Sequence, residues 1–314
     1  MKHKNKKALI IGVNGQDGKI LFDFLSTLDY QIIGIGKKNI RTYKIKWEKQ
    51  IDINKKNEVL ELIKIINPDE VYYLATFCRS SQDKRIDIYD DFKLGYQINV
   101  LAFLNFLEAI RLFSLKTKIF YASSSLIFGD CKEKKQNEET PYNPNSPYGL
   151  TKMNGLLLCK LYREKYNIFA TSGILYNHES EYRTENFISM KIIKSALNIK
   201  NKTQKKLIVG NLNSAVDWGY APDYVKAMHD ILSLKIADDF IIATGKLHTV
   251  LDFIKISFTY LDLDWQKFIS ENKKLIKKKE VILVGDSTKL KNKTNWKPSV
   301  NFSEMIKKII NKLN

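Results

Sequence analysis

Apolar residues follow two rhythms along this chain, and the two alternate. Ala8–Val13 ("ALIIGV") is an unbroken apolar run, the pattern of a strand buried on both faces. After "NGQDG", the stretch "KILFDFLSTLDY" carries apolar residues at helical spacing, and "QIIGIG" (31–36) predicts a second buried strand. "NEVLELIKIINPD" reads as a helix stopped by Pro68, and "EVYYLA" (70–75) as another strand. A long periodic helix around 94–114 leads into "KIFYASSS". "SPYGLTKMNGLLLCKLYREKY" predicts a helix with Ser146 as N-cap and Pro147 at its first position, and "IFATSGILY" one more strand. Strands alternating with helices imply an α/β fold with a doubly wound parallel sheet.

Beyond residue 176 the rhythm loosens. "NHESEYRTENF" is a polar loop, "ISMKIIKSALNI" a helix, "DFIIATG" a late strand, and 273–279 a lysine-dense segment. The pattern predicts a larger domain from residues 1–175 plus about 207–248. A smaller interleaved α/β domain takes about 176–206 plus 249–314.

At 314 residues the chain has ample core, and 44% hydrophobic with 27% charged residues is ordinary for a globular protein. The net charge of +18 suggests a polyanionic partner. Its lysines, however, are spread along the whole chain among many Asn and Ile, a compositional bias rather than a binding footprint. Small anionic ligands fit this surface and nucleic acid does not. Cys78, Cys131 and Cys159 show no paired spacing, so neither a disulfide framework nor a zinc site is indicated, and reduced thiols are expected. "MKHKNKKALIIGV" imitates a basic leader, but its apolar run breaks at the glycines. No stretch approaches the roughly 18 apolar residues of a membrane span. A cytoplasmic protein is expected.

Three constellations carry chemistry. Gly12, Gly15 and Gly18 stand at G-x-x-G-x-x-G spacing between a strand and a helix, where bare backbone can approach a pyrophosphate at the helix N-terminus. Tyr148 and Lys152 lie at i and i+4, on one helical face. An ammonium beside a phenol lowers its pKa and makes it a usable base. Ser123, Ser124 and Ser125 end a strand some twenty residues earlier, hydroxyls suited to handling another hydroxyl.

Together these residues resemble the extended short-chain dehydrogenase/reductases. "GVNGQDG", "ETPYNPNSPYGLTK", "GILYNHES", "ENFISMKI", "VGNLNSAVDWGYAPDYVKAM", "ATGKLHTV" and "NWKPSVNF" resemble the GDP-mannose 4,6-dehydratase family, in family order over essentially the whole chain. The resemblance implies a Rossmann domain, a C-terminal sugar-nucleotide domain, a GDP-linked sugar as ligand, and a homodimer or homotetramer. Carried over by position, Ser124 holds the reacting hydroxyl, Tyr148 is the base, and Lys152 is its partner on the nicotinamide ribose. The dinucleotide is expected on Gly12, Gly15, Gln16, Asp17, Gly18, Lys37, Asp52, Ile53, Leu74 and Ala75. Thr76, Ser125, Leu126, Asn177, Glu179, Lys191 and Glu280 are expected to line the sugar-nucleotide side.

The departures from the family pattern narrow the reading. Leu126 stands where the dehydratases carry a glutamate, and Phe77, Cys78 and Arg79 replace a glutamine-serine-histidine loop. Val216 replaces an arginine, and Tyr182 one of two adjacent arginines, beside Arg183 and an added Glu181. A 4,6-dehydratase must release the C6 hydroxyl with an acid, and leucine has no proton to give. The sequence therefore predicts oxidation or reduction at C4 of a GDP-linked manno-configured hexose or heptose without 6-deoxygenation. A 4-dehydrogenase comes first, then a 4-epimerase or 4-ketoreductase. An authentic 4,6-dehydratase with a displaced acid is the alternative, and a non-catalytic cofactor- or polyanion-binding protein a third. No acid ends the second strand, and Lys37 and Lys38 could meet a 2′-phosphate. Asn39 and Ile40 in place of family serines, and the charge of Glu181, favour NAD(H) over NADP(H).

Overall fold

Strand β1 (Lys7–Ile11) is apolar on both faces after Lys7, the pattern of a strand in the middle of a covered sheet. The computed structural model describes residues 5–79, 87–272 and 282–314 and places it there. In chain order follow α1 (Gln16–Thr27), β2 (Gln31–Ile35), β3 (Ile40–Tyr43), α2 (Lys56–Ile66), β4 (Glu70–Tyr73), α3 (Ile88–Tyr96) and α4 (Ala102–Phe113). Next come β5 (Lys118–Ser124), α5 (Pro147–Tyr166), β6 (Ala170–Leu175), β7 (Asn177–Glu179), α6 (Ile188–Lys200), β8 (Leu207–Val209), β9 (Ala215–Val216) and β10 (Trp218–Tyr220). The last described are α7 (Ala221–Leu232), β11 (Phe240–Ile242), β12 (His248–Thr249), α8 (Val250–Tyr260), α9 (Trp265–Phe268), β13 (Ile269–Glu271), α10 (Thr288–Thr294) and α11 (Phe302–Leu313).

Seven strands form the central sheet in the order β11-β6-β5-β4-β1-β2-β3. All neighbours are parallel except β3, which returns antiparallel along β2. The strand order reverses beside β1, between its neighbours β2 and β4. A ligand crevice opens at such a switch point, outside the strands' carboxyl ends. The chain's glycine loop and the end of β4 both lie there.

One core packs α2, α4 and α5 on one face of the sheet, and a second packs α1 and α7 on the other. Each fully buried Leu, Ile or Phe contributes about 2 kcal/mol, more than most single hydrogen bonds. A further cluster joins α6, α8 and α11 around Trp218 and Phe253. Leu290 and Trp296, expected with the smaller domain, pack instead against α7 in the second core. Ser146 caps α5 as predicted, its hydroxyl accepting from Gly149 N, with Pro147 at the first position.

The helix expected at 94–114 is longer and is not continuous. It runs from Ile88 to Phe113, interrupted at Gln97–Leu101 by a π-helical turn. Such turns are rare and gather at functional sites. Asn99 sits in this one, with no exposed surface.

Candidate active site

Gly12 has φ +99, and a Cβ there would sit 2.7 Å from the Ala75 backbone nitrogen. At Gly18 a Cβ would meet the Gly12 carbonyl at 2.3 Å. Both glycines are demanded by the packing of loop on strand and helix. Gly15 is not. Its Cβ would touch only the Gly12 oxygen, at 3.4 Å, an ordinary contact. What Gly15 provides is bare backbone beside the N-terminus of α1, the arrangement that accepts a phosphate.

The first turn of α1 is tied to β7. Asp17 faces His178 Nε2 at 3.0 Å, Gln16 Nε2 donates to the His178 carbonyl at 3.0 Å, and Ser180 Oγ donates to Gln16 Oε1 at 2.9 Å. His178 Nδ1 lies 2.7 Å from the Tyr176 carbonyl. A carbonyl on one ring nitrogen and a carboxylate on the other both favour N–H donors, an arrangement that favours the imidazolium. Burial alone would lower the His178 pKa, but the Asp17 charge and hydrogen bond outweigh it and raise it. Burial likewise works against the Asp17 carboxylate, and the His178 charge reverses that and lowers its pKa. The sign of the linkage follows. The histidine's contribution is complete below its unfolded pKa of about 6.5 and is lost as pH rises through the raised folded value. The aspartate's contribution is present above about 3.9 and is lost as pH falls through the lowered one. The gap in melting temperature between wild type and His178→Gln should therefore be widest near pH 6 and narrow as pH rises. A gap that stays constant or grows in alkali would show that His178 is not held as a cation.

The three serines have separate work. Ser123 Oγ donates to the Lys152 carbonyl at 3.2 Å and pins α5 to the end of β5. Ser124 Oγ accepts from Leu126 N at 3.3 Å, capping the short 3-10 turn Ser125–Ile127, and borders the same cleft as Tyr148. Ser125 is buried within that turn. Lys152 Nζ donates to the Ala122 carbonyl at 2.7 Å and lies 5.7 Å from the Tyr148 ring centroid.

Here the structure departs from the spacing argument. Burial raises the Tyr148 phenol above its ordinary range and Cys78 adds to the effect; hydrogen bonds to Thr76 and Ser124, and the Arg183 charge, pull it back only in part. Burial brings the Lys152 amine down to about 7. The expected lowering of the phenol by its neighbour is overridden, because α5 withdraws both groups from water.

These side chains line a cleft of about 580 Å³. Gly15, Gln16, Asp17, Leu74, Thr76, Ser124, Ser125, Leu126, Tyr148, Lys152 and Asn177 all border it. Ala75 packs behind the loop against Gly12, while Asp52, Ile53 and the exposed Lys37 are not among the residues bordering the cleft. Glu179 is turned inward, accepting from Ser189 Oγ at 2.7 Å and facing Arg183 at 3.3 Å. Lys191 Nζ donates to the Ile208 carbonyl. Glu280 lies outside the described residues. Cys78, Arg79 and Tyr182 also border the cleft. Glu181 pairs with Lys312 at 2.6 Å in its own chain, so its charge is neutralised locally. A larger cavity of about 690 Å³ lies in the C-terminal half beside Trp218 and His248, away from Tyr148 and Lys152. Among the described residues no helix is long and apolar enough to cross a membrane, and no metal-binding cluster of His, Cys, Asp or Glu is found.

A family model described as GDP-mannose 4,6 dehydratase matches residues 9–309. The chain belongs to the GDP-mannose 4,6-dehydratase family. GDP-mannose 4,6 dehydratase 2 of Arabidopsis thaliana is 36% identical over 97% of this chain and 86% of that protein. Among solved structures, RMD of Pseudomonas aeruginosa, solved with NADPH, superposes with a TM-score of 0.84 at 19% identity, covering 98% of this chain and 97% of that one. The dTDP-glucose 4,6-dehydratase of Bacillus anthracis, solved with NAD, gives 0.82 at 18%, covering 98% and 96%. The fold is thus the Rossmann fold of the extended short-chain dehydrogenase/reductases, and the family's members are nucleotide-sugar enzymes.

Proposed function

We propose that the chain is a nicotinamide-dependent 4-dehydrogenase of a GDP-linked manno-configured sugar that leaves the C6 oxygen in place. One observation carries this reading: Tyr148 and Ser124 face a cleft whose rim at position 126 is an apolar side chain. Leu126 is 38% exposed there. The only carboxylates among the described lining residues are Asp17 and Asp217. Asp17 is committed to His178. Asp217 accepts from Thr244 N at 3.0 Å, Gly245 N at 2.9 Å and Gly285 N at 3.3 Å. Glu138, a candidate substitute acid, accepts from Ile241 N at 2.9 Å and is not among the residues bordering the cleft.

A nicotinamide cofactor, when bound, supplies the hydride acceptor. The glycine loop and the N-terminus of α1 fit its pyrophosphate, and Gly15 in particular has no other reason to lack a side chain. Gly15→Ala should raise the dissociation constant for NAD+ at least tenfold while costing no more than about 1 kcal/mol of stability at the helix cap. Unchanged NAD+ binding by fluorescence titration would remove Gly15 from the dinucleotide site. We assign NAD(H) rather than NADP(H) on the substitutions Asn39 and Ile40. The ion pair with Lys312 takes Glu181 out of that argument.

Mass spectrometry tests the assignment. Nucleotide released from the purified protein should be NAD(H), and GDP-mannose should yield a product that retains its C6 oxygen. A product lighter by one water identifies an ordinary 4,6-dehydratase.

A further inference from the structure

Arg79 borders the catalytic cleft together with Ser124, Leu126 and Tyr148. The backbone that carries it is tied to the catalytic helix. Phe77 N donates to Asn99 Oδ1 at 2.9 Å, and the Phe77 carbonyl accepts from Asn99 Nδ2 at 3.2 Å. Asn99 Nδ2 also donates to Thr151 Oγ1 at 3.0 Å, and Thr151 Oγ1 in turn donates to the Tyr148 carbonyl at 3.0 Å. Two residues of chain reach at most about 7 Å beyond Phe77, so Arg79 stays with this wall. Its side chain is 23% exposed, and its Nε lies 3.6 Å from Asp91 Oδ1, an ion pair too long for a hydrogen bond. Asp91 lies in the first turn of α3, where the helix N-terminus itself favours a negative charge. Among the described residues no hydrogen bond uses the Arg79 guanidinium.

The cleft thus presents a cationic fork whose hydrogen-bonding capacity is unspent. Its two carboxylates, Asp17 and Asp217, are committed to other partners, and position 126 is apolar. A guanidinium takes a carboxylate through two parallel N–H···O bonds, each roughly twice as strong as a neutral one. The dinucleotide's pyrophosphate has its own seat at Gly15 and the N-terminus of α1. We propose that Arg79 is a specificity-determining residue that pairs with a carboxylate at C6 of the sugar, so that a GDP-linked hexuronic acid of manno configuration is preferred to GDP-mannose. The inference rests on the dehydrogenase reading, which puts the sugar beside Tyr148, and it narrows the substrate class. A glutamate at position 126 would repel such a carboxylate, whereas Leu126 does not. A C6 carboxylate also has no hydroxyl to release, so an acid at position 126 has nothing to protonate. The reaction at C4 is unchanged: hydride passes from C4 to NAD+ and the O4 proton to Tyr148.

Calorimetric titration of the NAD+-loaded full chain compares GDP-mannuronate with GDP-mannose, and absorbance follows NADH formation from each. Both readouts precede any later step of the 4-keto product. Wild type should bind GDP-mannuronate about tenfold or more tighter than GDP-mannose. Arg79→Met, which keeps an unbranched stem and loses the charge, should bring that ratio to about one. Leu126→Glu should lower it about threefold or more by like-charge repulsion. A ratio near one in wild type, which needs no variant to fold, overturns the proposal. So does a Met or a Glu variant that keeps the wild-type ratio. A Met variant that weakens GDP itself as much as GDP-mannuronate also overturns it and puts Arg79 on the diphosphate. If the ratios behave as stated and neither sugar reduces NAD+, the dehydrogenase reading fails and the role of Arg79 stands. If GDP-mannose reduces NAD+ and the wild-type ratio is near one, the dehydrogenase reading stands and the role of Arg79 fails.

Discussion

GDP-mannose carrying deuterium at C4 will lose that label to oxidation, and none of it will reappear at C6. Tyr148 accepts the O4 proton, Ser124 orients the hydroxyl, and the C4–H bond breaks. In a dehydratase the 4-keto sugar then loses its C5 proton and its C6 hydroxyl, and the label returns to C6. That second stage needs a proton donor on the ring face away from Tyr148. Leu126 offers none. General acid catalysis contributes on the order of a hundredfold to ten-thousandfold, so its removal leaves elimination too slow to compete with release of the 4-keto product. Deuterium at C6, in a product one water lighter, would defeat the proposal outright.

Tyr148→Phe should reduce turnover by at least a hundredfold and leave binding of the GDP-sugar within about tenfold. The phenol oxygen is the atom that takes the proton, whereas the ring packs in α5 beside Lys152 and its shape is unchanged in phenylalanine. The split between turnover and binding is the informative part. A variant that keeps more than a tenth of the wild-type rate takes the base role away from Tyr148. One that loses both activity and affinity shows only that the helix end was disturbed.

Those two expectations draw on features of unequal visibility. The central strands could be read because residues such as Leu9, Ile10 and Ile11 leave no polar face for solvent. Ser146 and Pro147 announced the start of α5, and Tyr148 with Lys152 needed only the period of that helix. The π-turn could not be read: Gln97–Leu101 continues the apolar pattern, and one extra residue per turn leaves no compositional mark. Nor could the direction of the Tyr148 shift, since spacing reports who is near whom and says nothing about the water removed from both. The partnership of Asp17 with His178 spans 161 residues and belongs to the tertiary fold alone. Thr76 is expected beside the sugar from the resemblance alone; only the tertiary fold shows its hydroxyl donating to Asn99.

The ties between Gln16, Asp17 and β7 bear on how such an enzyme can change its taste in sugars. Asn177 and Glu179 share a three-residue strand with the histidine that grips the glycine loop. A substitution that reshapes this strand to admit a different sugar also disturbs the seat of the dinucleotide, and by thermodynamic reciprocity each ligand then senses the other's fit. The opposite wall is free of that entanglement, because Thr76 and Phe77 are moored to Asn99 rather than to the loop. Descent with altered specificity therefore has an easier route through residues 77–79 than through β7.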